Sequence, residues 1–426
     1  MGTQIKKQYG TIDILPSDVL LWQYIEEKLR STARRYGFEE IRFPTFEATE
    51  LFCRGVGGTT DIVQKEMYTF DDREKRSLSL RPEGTACVVR SIVENGLVYG
   101  PMPLKLYYIA NFFRHEKPQK GRSREFFQFG TELYGSDGPI ADATVIMLAA
   151  SVFRELGITG ARLHVNSIGC DNCRDGYSQA LKTYFEERYE KLCPTCQSRL
   201  ATNPRRILDC KDPGCRAVAE DAPRTVDYLC DECSEHFSKL CALLDGAGIE
   251  YIVDVRIVRG LDYYTKTVFE FIDETIGAQS TVCGGGRYNR LVSMLGGPEL
   301  PAVGFGMGLT RLIESMRNAG TVPELEQCPE LYIAPLGENA AVRAALLTEQ
   351  LRRMGLRAEC DMCARSMKSQ MKYADKLGAE FTVAIGDNEL EIGVADLRDM
   401  GNGSTVSCEL TAQSLFDAIR HCTDNK

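Results

Sequence analysis

The stretch from Leu104 to Gly135 constrains the fold of this chain more than any other. Two runs rich in aromatic and β-branched residues, Leu106–Phe113 and Glu125–Tyr134, predict strands, and Pro118 and Gly121 interrupt the pattern between them. A long hairpin is therefore expected, around which the remaining elements are arranged.

The second strand of this hairpin has an apolar face and a polar face, because side chains alternate along a strand. The apolar face carries Phe127, Phe129 and Leu133, and the polar face carries Gln128, Gly130 and Glu132. In an average antiparallel hairpin such a polar face is simply solvated.

The loop between the strands favours a different interpretation of the polar face, a site for an anion. Five basic residues stand against one glutamate and give a local net charge of +4: Arg114, Lys117, Lys120, Arg122 and Arg124 against Glu116.

Residues 114–132, RHEKPQKGRSREFFQFGTE, combine an arginine at the end of the first strand, a basic loop and a phenylalanine-rich return strand. This arrangement resembles motif 2 of the class II aminoacyl-tRNA synthetases. The residues themselves closely resemble the form of that motif in the histidyl-tRNA synthetases.

Length and composition indicate a soluble chain of several domains. The 426 residues predict two or three domains, and 43% hydrophobic and 26% charged residues are ordinary for a globular protein. The net charge of −9 argues against extensive wrapping of nucleic acid. There is no apolar run long enough to cross a bilayer and no apolar signal-peptide core, so a cytoplasmic protein without a membrane partner is expected.

Histidine and cysteine usage narrows the chemistry further. The chain has four histidines, no HExxH pattern and no GxSxG pattern, which argues against zinc-protease and triad chemistry. Its 17 cysteines are expected to be free thiols or metal ligands, since disulfides are rare in cytosolic proteins.

The N-terminal region predicts a helix capped by Ser17 and running to about Tyr36, followed by a strand from Phe38 to Phe46 that contains Pro44. This order is common in unrelated proteins. It resembles motif 1 of the class II enzymes, which in that family builds the interface of a homodimer.

Three further segments resemble histidine-binding elements of the same family. Arg81–Thr85, RPEGT, resembles its amino-acid-binding loop, although a surface turn would have the same composition. Arg259–Thr265, RGLDYYT, and Cys283–Arg290, CGGGRYNR, resemble its two histidine signatures. The glycines of the second signature allow close approach of backbone to a ligand, and they also suit an ordinary turn.

Val303–Leu312, VGFGMGLTRL, resembles motif 3, a glycine-rich strand that leads into a helix carrying Arg311. Two positions depart from the family pattern. Thr310 replaces the more usual glutamate, which puts in doubt the contact that the glutamate would make, and Asn289 replaces the more usual aspartate.

From Cys170 to about Gly248 the strand signals stop, and a mainly helical insertion is predicted. Four of its cysteines have a spacing compatible with a structural zinc knuckle: Cys193, Cys196, Cys210 and Cys215. Two more CxxC pairs occur at Cys170–Cys173 and Cys230–Cys233. Such pairs also arise readily in a cysteine-rich chain, so free thiols are the alternative, and the family does not require zinc.

Beyond a linker containing Gly320, Pro323 and Pro329, three apolar strands alternate with helical patterns at Ala340–Met354 and Ser366–Leu377. A compact α/β module is expected. Its basic stretch holds seven basic residues against three acidic ones between positions 352 and 376, a net charge of +4. The module resembles the anticodon-binding domain of several class II synthetases, and the pattern alone suits many small α/β domains.

Together these resemblances imply an α+β protein. Its catalytic domain, residues 1–322, would be built on the antiparallel sheet of the class II synthetases and interrupted by the 170–248 insertion. An α/β anticodon-binding domain, residues 329–426, would follow.

The resemblance also implies a reaction. Histidine and ATP would form an adenylate and pyrophosphate, and histidine would then pass to the 3′ end of tRNA(His), with Mg²⁺ arriving on the phosphates. Arg259 and Arg114 would act at the α-phosphate, and Arg114 and Arg311 would hold ATP. Histidine would be bound by Glu83, Thr85, Gln128, Glu132, Tyr263 and Tyr264. The acceptor end of tRNA would meet Gln119, Arg122 and Arg124.

Two other functions are compatible with parts of the sequence. The regulatory subunit of ATP phosphoribosyltransferase resembles the synthetase core without its catalysis, but it typically lacks the C-terminal domain and key arginines, all of which are present here. A zinc-dependent nucleic-acid-binding module in the insertion is the second alternative, and metal analysis would test it.

Overall fold

The computed structural model separates the chain into two compact units, Met1–Pro323 and Glu324–Lys426. It describes residues 4–57, 60–119, 121–202, 204–208, 210, 212–257, 263–277, 280–325 and 327–424, apart from the side chains of residues 174 and 202.

Most strands of the first unit form one large sheet. The strands are β1 (Glu39–Glu40), β2 (Phe46–Ala48), β3 (Thr69–Asp71), β4 (Ser77–Leu80), β5 (Leu104–Phe113), β6 (Glu125–Tyr134), β7 (Arg162–Ser167), β8 (Tyr251–Val253), β9 (Thr265–Ile272), β10 (Thr281–Arg287) and β11 (Ala302–Gly308). The α-helices in the described part of this unit are α1 (Pro16–Arg35), α2 (Thr49–Phe52), α3 (Thr85–Glu94), α4 (Pro139–Glu155), α5 (Asp171–Glu186), α6 (Pro194–Thr202), α7 (Pro213–Ala219), α8 (Asp231–Gly246), α9 (Leu291–Met294) and α10 (Leu309–Ala319).

The predicted hairpin is confirmed and lies within an eight-stranded sheet of order β1-β5-β6-β11-β10-β9-β7-β8. Strands β5 and β6 pair from Leu104 opposite Tyr134 to Phe113 opposite Glu125. The sheet is antiparallel except at its two edges, where β1 pairs with β5 and β7 pairs with β8 in parallel. The predicted α+β class is therefore confirmed, with parallel edges that the sequence did not indicate.

The hairpin's second strand continues the sheet through β11, which comes about 170 residues later. In this pairing Gln128 lies opposite Gly308 and Glu132 lies opposite Gly304. Strand β11 leads directly into α10, as predicted for motif 3. The predicted motifs 2 and 3 are thus neighbours in one sheet.

Two predictions near the N-terminus are wrong. Helix α1 begins at Pro16, with Leu15 at the N-cap and no side-chain cap, because proline is favoured at the first helical position, where its missing N–H costs nothing and its fixed φ already suits the helix. The strand predicted for residues 38–46 is divided between β1 and β2, which belong to different sheets. Between them, Arg81 Nη1 donates to the carbonyls of Phe43 and Pro44 at 2.8 and 3.1 Å, so these groups are unavailable to a strand ladder.

Strand β2 belongs to a small sheet of order β2-β4-β3, which leads into the loop before α3. Behind the large sheet, α3 and α9 contribute Val89, Ile92 and Leu291 to a core that also contains Tyr108 and Phe112. The start of α3 is therefore held against the hairpin by a shared apolar core.

The insertion lies between β7 and β8. Its described residues from Asp171 to Gly246 contain helices and short helical turns and no strand. It has a core of its own, which includes Tyr177, Leu181 and Phe185. Because β7 and β8 are parallel neighbours, the insertion leaves and rejoins the sheet at one edge.

The second unit is a mixed α/β module with sheet order β13-β12-β14-β15-β16. Its described elements are β12 (Leu331–Pro335), α11 (Glu338–Arg353), β13 (Ala358–Cys360), α12 (Met367–Lys376), β14 (Phe381–Ile385), α13 (Asp387–Ile392), β15 (Val394–Asp399), β16 (Thr405–Glu409) and α14 (Ala412–Asp424). The first three strands are parallel and the last two antiparallel. The two antiparallel strands and the last two helices were not predicted.

A search of the described helices for a segment long and apolar enough to span a membrane finds none.

Candidate active site

A cavity of about 510 Å³ opens over the hairpin and the start of α3. Residues from many parts of the first unit line it: the segment before β3, the loop into α3, β5, the motif 2 loop, β6, the segment before β9, β9 itself, β10, and the junction of β11 with α10. Segments that lie far apart in the sequence therefore meet in one concave site, which is the usual location of a ligand.

The floor of the cavity is built by Tyr108, whose ring lies between two glycines. A Cβ atom on either Gly84 or Gly130 would overlap the tyrosine ring. Tyr108 is 2% exposed and packs edge to face on Phe43, with ring centroids 5.2 Å apart. The glycines of RPEGT and QFGTE are thus required by close packing.

Beneath the cavity, Glu132 is fully buried in a network of hydroxyl groups. Thr85 Oγ1 donates to its Oε1 at 2.8 Å, and the Tyr288 hydroxyl donates to its Oε2. Burial raises the pKa of Glu132 to about 8, although both hydroxyls oppose this shift. A Cβ at Gly304 would collide with the same carboxylate, so β11 needs glycine at this position.

Glu83 caps the helix that follows it. Its two oxygens accept from the backbone N–H groups of Thr85 at 2.9 Å and Ala86 at 2.8 Å, which are the open donors at the start of α3. Burial raises the pKa of the Glu83 carboxyl, and the N–H donors oppose that rise. The cap fixes this carboxylate at the edge of the cavity.

Aromatic rings form one wall. The rings of Tyr263 and Tyr264 are 4.8 Å apart between centroids, and those of Tyr263 and Tyr288 are 5.5 Å apart. A Cβ at Gly286 would meet the Tyr264 ring at 2.9 Å. The two predicted signatures are therefore packed against each other, and the glycine between them makes room for the ring.

Two arginines, Arg114 and Arg311, line another part of the cavity. Arg114 donates from Nε to the carbonyl of Pro82 at 2.9 Å and lies over the ring of Phe126 at 5.2 Å. Arg311 donates to the carbonyls of Gly121, at 3.2 Å, and Thr281. Burial lowers the pKa of the Arg311 guanidinium. Both side chains are held by backbone carbonyls, so their positive charge is fixed in place.

The departure at Thr310 has a structural counterpart. Thr310 lines the cavity, and the charges of Glu116 and of Glu314, one turn later on α10, partly oppose the lowering of the Arg311 pKa by burial. The loop arginine Arg122 is paired with Glu116 at 2.7 Å.

Most of the predicted site residues meet in this cavity. Those that line it are Glu83, Thr85, Arg114, Arg122, Gln128, Tyr263, Tyr264 and Arg311. Glu132 lies below it. Gln119 and Arg124 lie on the motif 2 loop outside the lining, Gln119 bridging to Arg122 and Arg124 lying over the ring of Tyr9 at 5.6 Å. Arg259 falls in residues 258–262, outside the described part of the chain.

The residues of the site that were not predicted from the sequence include Tyr108, Glu116 and Glu270, which line the cavity, and Tyr288, whose hydroxyl donates to Glu132. Tyr288 stands inside CGGGRYNR, where the glycines and Asn289 were interpreted but this tyrosine was not. Its neighbour Asn289 donates to Asp137 at 2.9 Å, so the departure at that position serves the packing of the loop.

In the insertion, the four cysteines predicted as a knuckle do come together. The Sγ atoms of Cys193, Cys196, Cys210 and Cys215, named here the outer quartet, lie within 4.8 Å of one another. Cys193 and Cys210 are 3.9 Å apart between sulfurs, and the N–H of Cys193 donates to Cys215 Sγ at 3.1 Å.

A mainly antiparallel sheet with a hairpin arginine, a glycine-rich strand leading to a helical arginine, and a cavity between them is the catalytic architecture of class II aminoacyl-tRNA synthetases. Comparison with known proteins narrows the class. The family model for histidyl-tRNA synthetase matches residues 10–312, and that for the anticodon binding domain matches residues 330–421. The chain belongs to the histidyl-tRNA synthetase family.

Individual relatives agree with this assignment. The histidine–tRNA ligase of Caldicellulosiruptor saccharolyticus is 51% identical over 418 residues, covering 98% of this chain and 100% of the relative. The histidine–tRNA ligase of Acetivibrio thermocellus is 51% identical over 420 residues, covering 99% of this chain and 100% of the relative. The crystal structure of apo S. aureus histidyl-tRNA synthetase superposes with a TM-score of 0.83 at 38% identity, covering 98% of this chain and 100% of that one.

The buried carboxyl of Glu132 predicts a pH-dependent stability. Its pKa is about 8 in the folded chain and 4.5 in the reference state, so the folded chain holds a proton that the unfolded chain releases in that range. Stability therefore falls as pH rises from about 4.5 to about 8, by roughly 5 kcal/mol for this group at about 1.4 kcal/mol per pKa unit.

Glu132→Gln mimics the protonated carboxyl and should remove most of this loss. Thermal unfolding measured between about pH 6 and pH 9 should give a flatter curve for the variant than for the parent chain. Glu299→Gln, in an exposed position, is the matched control. Parallel curves for Glu132→Gln and the parent would show that Glu132 is ionised when buried.

Proposed function

We propose that this chain is a histidine–tRNA ligase that activates L-histidine with ATP and transfers it to tRNA(His). One observation carries the proposal: the buried Thr85–Glu132–Tyr288 network and the fixed arginines Arg114 and Arg311 lie at one cavity. The hydroxyl–carboxyl network suits a small polar ring, and the fixed arginines suit a triphosphate. The names and full-length similarity of the relatives support the same activity.

In the first step an oxygen of the histidine carboxylate attacks the α-phosphorus of ATP, and pyrophosphate leaves. Negative charge builds on the α-phosphate oxygens in the transition state, and preorganised cations stabilise it without rearrangement. We assign that role to Arg114, with Arg259 as a second cation on the strength of the sequence resemblance. Arg311, held on carbonyls of the motif 2 loop and β10, binds the nucleotide.

Mg²⁺ arrives with the triphosphate and neutralises part of its charge. Glu116 and Glu270 line the same cavity and offer the oxygen ligands that Mg²⁺ prefers. The donor set therefore fits this ion.

Recognition of the amino acid divides between its two ends. Glu83, at the edge of the cavity, attracts the ammonium group, and Thr85 and Gln128 assist there. Glu132 and Tyr264 bracket the two nitrogens of the imidazole, and Tyr263 forms a wall. An apolar side chain offers neither a donor nor an acceptor to this polar end of the pocket, which gives discrimination against apolar amino acids.

In the second step a ribose hydroxyl at the 3′ end of tRNA attacks the histidyl carbonyl and AMP leaves. Gln119, Arg122 and Arg124 extend from the motif 2 loop toward the acceptor end. Residues 1–322 thus serve as the catalytic domain around the 170–248 insertion, and residues 329–426 read the anticodon. Single-stranded loops and ends expose base edges that an A-form helix hides.

We assign a structural zinc ion to the outer quartet in the insertion. Four thiolates are the donors that zinc prefers, and their sulfurs are close enough for one tetrahedral ion. Zinc would hold α6 and α7 together. It takes no part in the proposed chemistry.

The homodimer implied by motif 1 finds support on the small sheet. Phe46 and Phe70 are 52% and 44% exposed, and their rings pack with centroids 6.4 Å apart. A pair of exposed aromatic rings of this kind suits a contact that a second copy covers.

Sedimentation at micromolar concentration is expected to show a dimer. Phe46→Asp together with Phe70→Asp should raise the dissociation constant at least about 100-fold, because two-fold symmetry repeats each lost contact. Tyr99→Asp, at a side chain 79% exposed, is the control. A parent chain that sediments only as a monomer would contradict the dimer.

The regulatory subunit of ATP phosphoribosyltransferase fits less well. A structure described as an ATP phosphoribosyltransferase regulatory subunit/histidyl-tRNA synthetase from Bacillus halodurans matches at 22% identity and a TM-score of 0.65, which shows a common fold alone. Arg114, Arg311 and the C-terminal unit are features that a purely regulatory chain does not need.

Histidine-dependent exchange of pyrophosphate into ATP tests the function directly. The purified chain should catalyse exchange with histidine and not with the other amino acids, and it should charge tRNA(His). Absence of exchange in a folded protein would refute the proposed activity.

A further inference from the structure

A second group of four cysteines closes the base of the insertion. Cys170 and Cys173 stand where the chain leaves the sheet, and Cys230 and Cys233 stand about 60 residues later, before the chain returns. Their Sγ atoms, named here the base quartet, lie within 4.8 Å of one another. Cys170 Sγ is 3.7 Å from Cys173 Sγ and 3.8 Å from Cys230 Sγ.

These separations fit one metal ion. Zinc bound at about 2.3 Å by four sulfurs in a tetrahedron places the sulfurs about 3.8 Å apart. A disulfide would bring two of them to about 2.05 Å. All four cysteines are free. The spacing therefore favours mononuclear thiolate coordination over disulfide pairing.

The surroundings of the base quartet favour thiolates. Cys170 and Cys230 are the N-cap residues of α5 and α8, and Cys173 and Cys233 lie in the first turns. Two helix N-termini therefore direct their positive ends at the sulfurs. The N–H of Cys230 also donates to Cys173 Sγ at 3.1 Å, which stabilises charge on that sulfur.

The base quartet repeats the design of the outer quartet. In each, one cysteine donates its N–H across the group to a sulfur of the opposite half at 3.1 Å. In each, two cysteines are buried and two are partly exposed. The same arrangement is thus built twice, once from cysteines near the two ends of the insertion sequence and once from cysteines in its middle.

We propose that the base quartet binds a structural zinc ion, so that the insertion holds two. On binding, the four thiols release their protons to solvent and the Zn(S–Cys)₄ centre carries a net charge of −2. The ion holds the two ends of the helical insertion together. Without it, a covalent link or apolar packing would be needed at this place.

The base zinc also reaches the candidate active site through ion pairs. Glu232, between Cys230 and Cys233, accepts from Lys266 Nζ at 2.8 Å, and Lys266 follows the tyrosine wall by two residues. Asp171, next to Cys170, pairs with Arg290, the last residue of CGGGRYNR. One half of the quartet is thus tied to the residue that directly follows the first histidine signature, and the other half is tied to the last residue of the second signature.

Zinc content of the full-length chain, purified without chelator, tests the proposal. Two zinc ions per chain are expected. Cys170→Ser with Cys230→Ser should remove one of them, and Cys193→Ser with Cys210→Ser should remove the other. Cys241→Ser, at a half-buried cysteine of α8 outside both quartets, should retain two.

A titration of the parent chain with a mercurial, read with a zinc-sensitive dye, does not depend on a variant folding. It should release two zinc ions, each with four thiols. Release of one zinc, iron in place of zinc, or unchanged zinc content in Cys170→Ser with Cys230→Ser would overturn the proposal. Metal content is independent of the proposed ligase activity, so a chain with two zinc ions and no pyrophosphate exchange would refute only that activity.

A second readout tests the link to the cavity and rests on the proposed function. Loss of the base zinc should raise the KM for histidine in pyrophosphate exchange about tenfold, whereas loss of the outer zinc should leave it nearly unchanged, because only the base quartet is tied to both signatures. Equal effects of the two double variants would show that the base ion holds the insertion without supporting the tyrosine wall.

Discussion

Arg114→Ala is expected to slow histidine-dependent pyrophosphate exchange by roughly 100- to 1000-fold at saturating substrates, the usual effect of removing one preorganised charge from a transition state. Arg114 is fixed between the Pro82 carbonyl and the ring of Phe126, so its charge needs no rearrangement during the reaction. The loss should appear mainly in kcat, since the charge acts chiefly on the developing transition state.

Arg114→Lys should recover only part of the rate. The lysine ammonium is a compact charge without the planar fork by which arginine donates to Pro82 from Nε and presents its other N–H groups to the phosphate, so lysine reproduces the two contacts less well. Arg76→Ala, in an exposed turn between β3 and β4, is the matched control and should exchange at the parent rate. A rise in the KM for ATP with unchanged kcat would make Arg114 a ground-state binding residue only.

Ending the chain after Pro323 should separate the two steps of the reaction. The first unit has its own cores and contains the whole lining of the cavity, so pyrophosphate exchange should be largely retained. The transfer of histidine to tRNA(His) should fall sharply. Each lost contact to an unpaired base costs roughly 1–3 kcal/mol, so losing two reduces kcat/KM for tRNA by about 30-fold or more.

The truncated chain should also show a weaker dependence of tRNA affinity on salt, because basic residues of the second unit no longer meet phosphates. Sedimentation of the fragment controls for its assembly, and charging of anticodon variants reports on recognition. A fragment that charges tRNA(His) as well as the full chain, with the same preference among anticodons, would remove the second unit from recognition.

Local patterns predicted the elements on which the site is built. The aromatic strands of the hairpin and the glycine-rich strand before α10 are recognisable because the signal lies within each segment. The predicted strand across residues 38–46 failed because Arg81, about 40 residues later, takes the carbonyls of Phe43 and Pro44. No local pattern carries that information.

The composition of the cavity depends even more on distant partners. Tyr288 becomes part of the site only because β10 and β11 bring its hydroxyl to Glu132, which belongs to β6. The raised pKa of Glu132 likewise follows from burial, which its sequence neighbours did not indicate. The base quartet was visible as two separate CxxC pairs, and only the return of the chain at β8 joins them.

The pairing of β6 with β11 has a consequence for synthesis on the ribosome. Strand β6 is synthesised shortly after β5 and can pair with it at once. The opposite edge of β6 can pair only after β11 has been made, about 170 residues later. Helices α5 to α7 of the insertion contact mainly the insertion itself, whereas α8 packs on α4, which has already been made. These elements can therefore fold in the interval, since local contacts form faster than distant ones. Until residue 308 has emerged, the nascent chain presents an open strand edge of the kind that aggregates. Completion of the amino-acid pocket is therefore a late event in the biogenesis of this chain, and an arrested product that ends before β11 would be a natural client for chaperones.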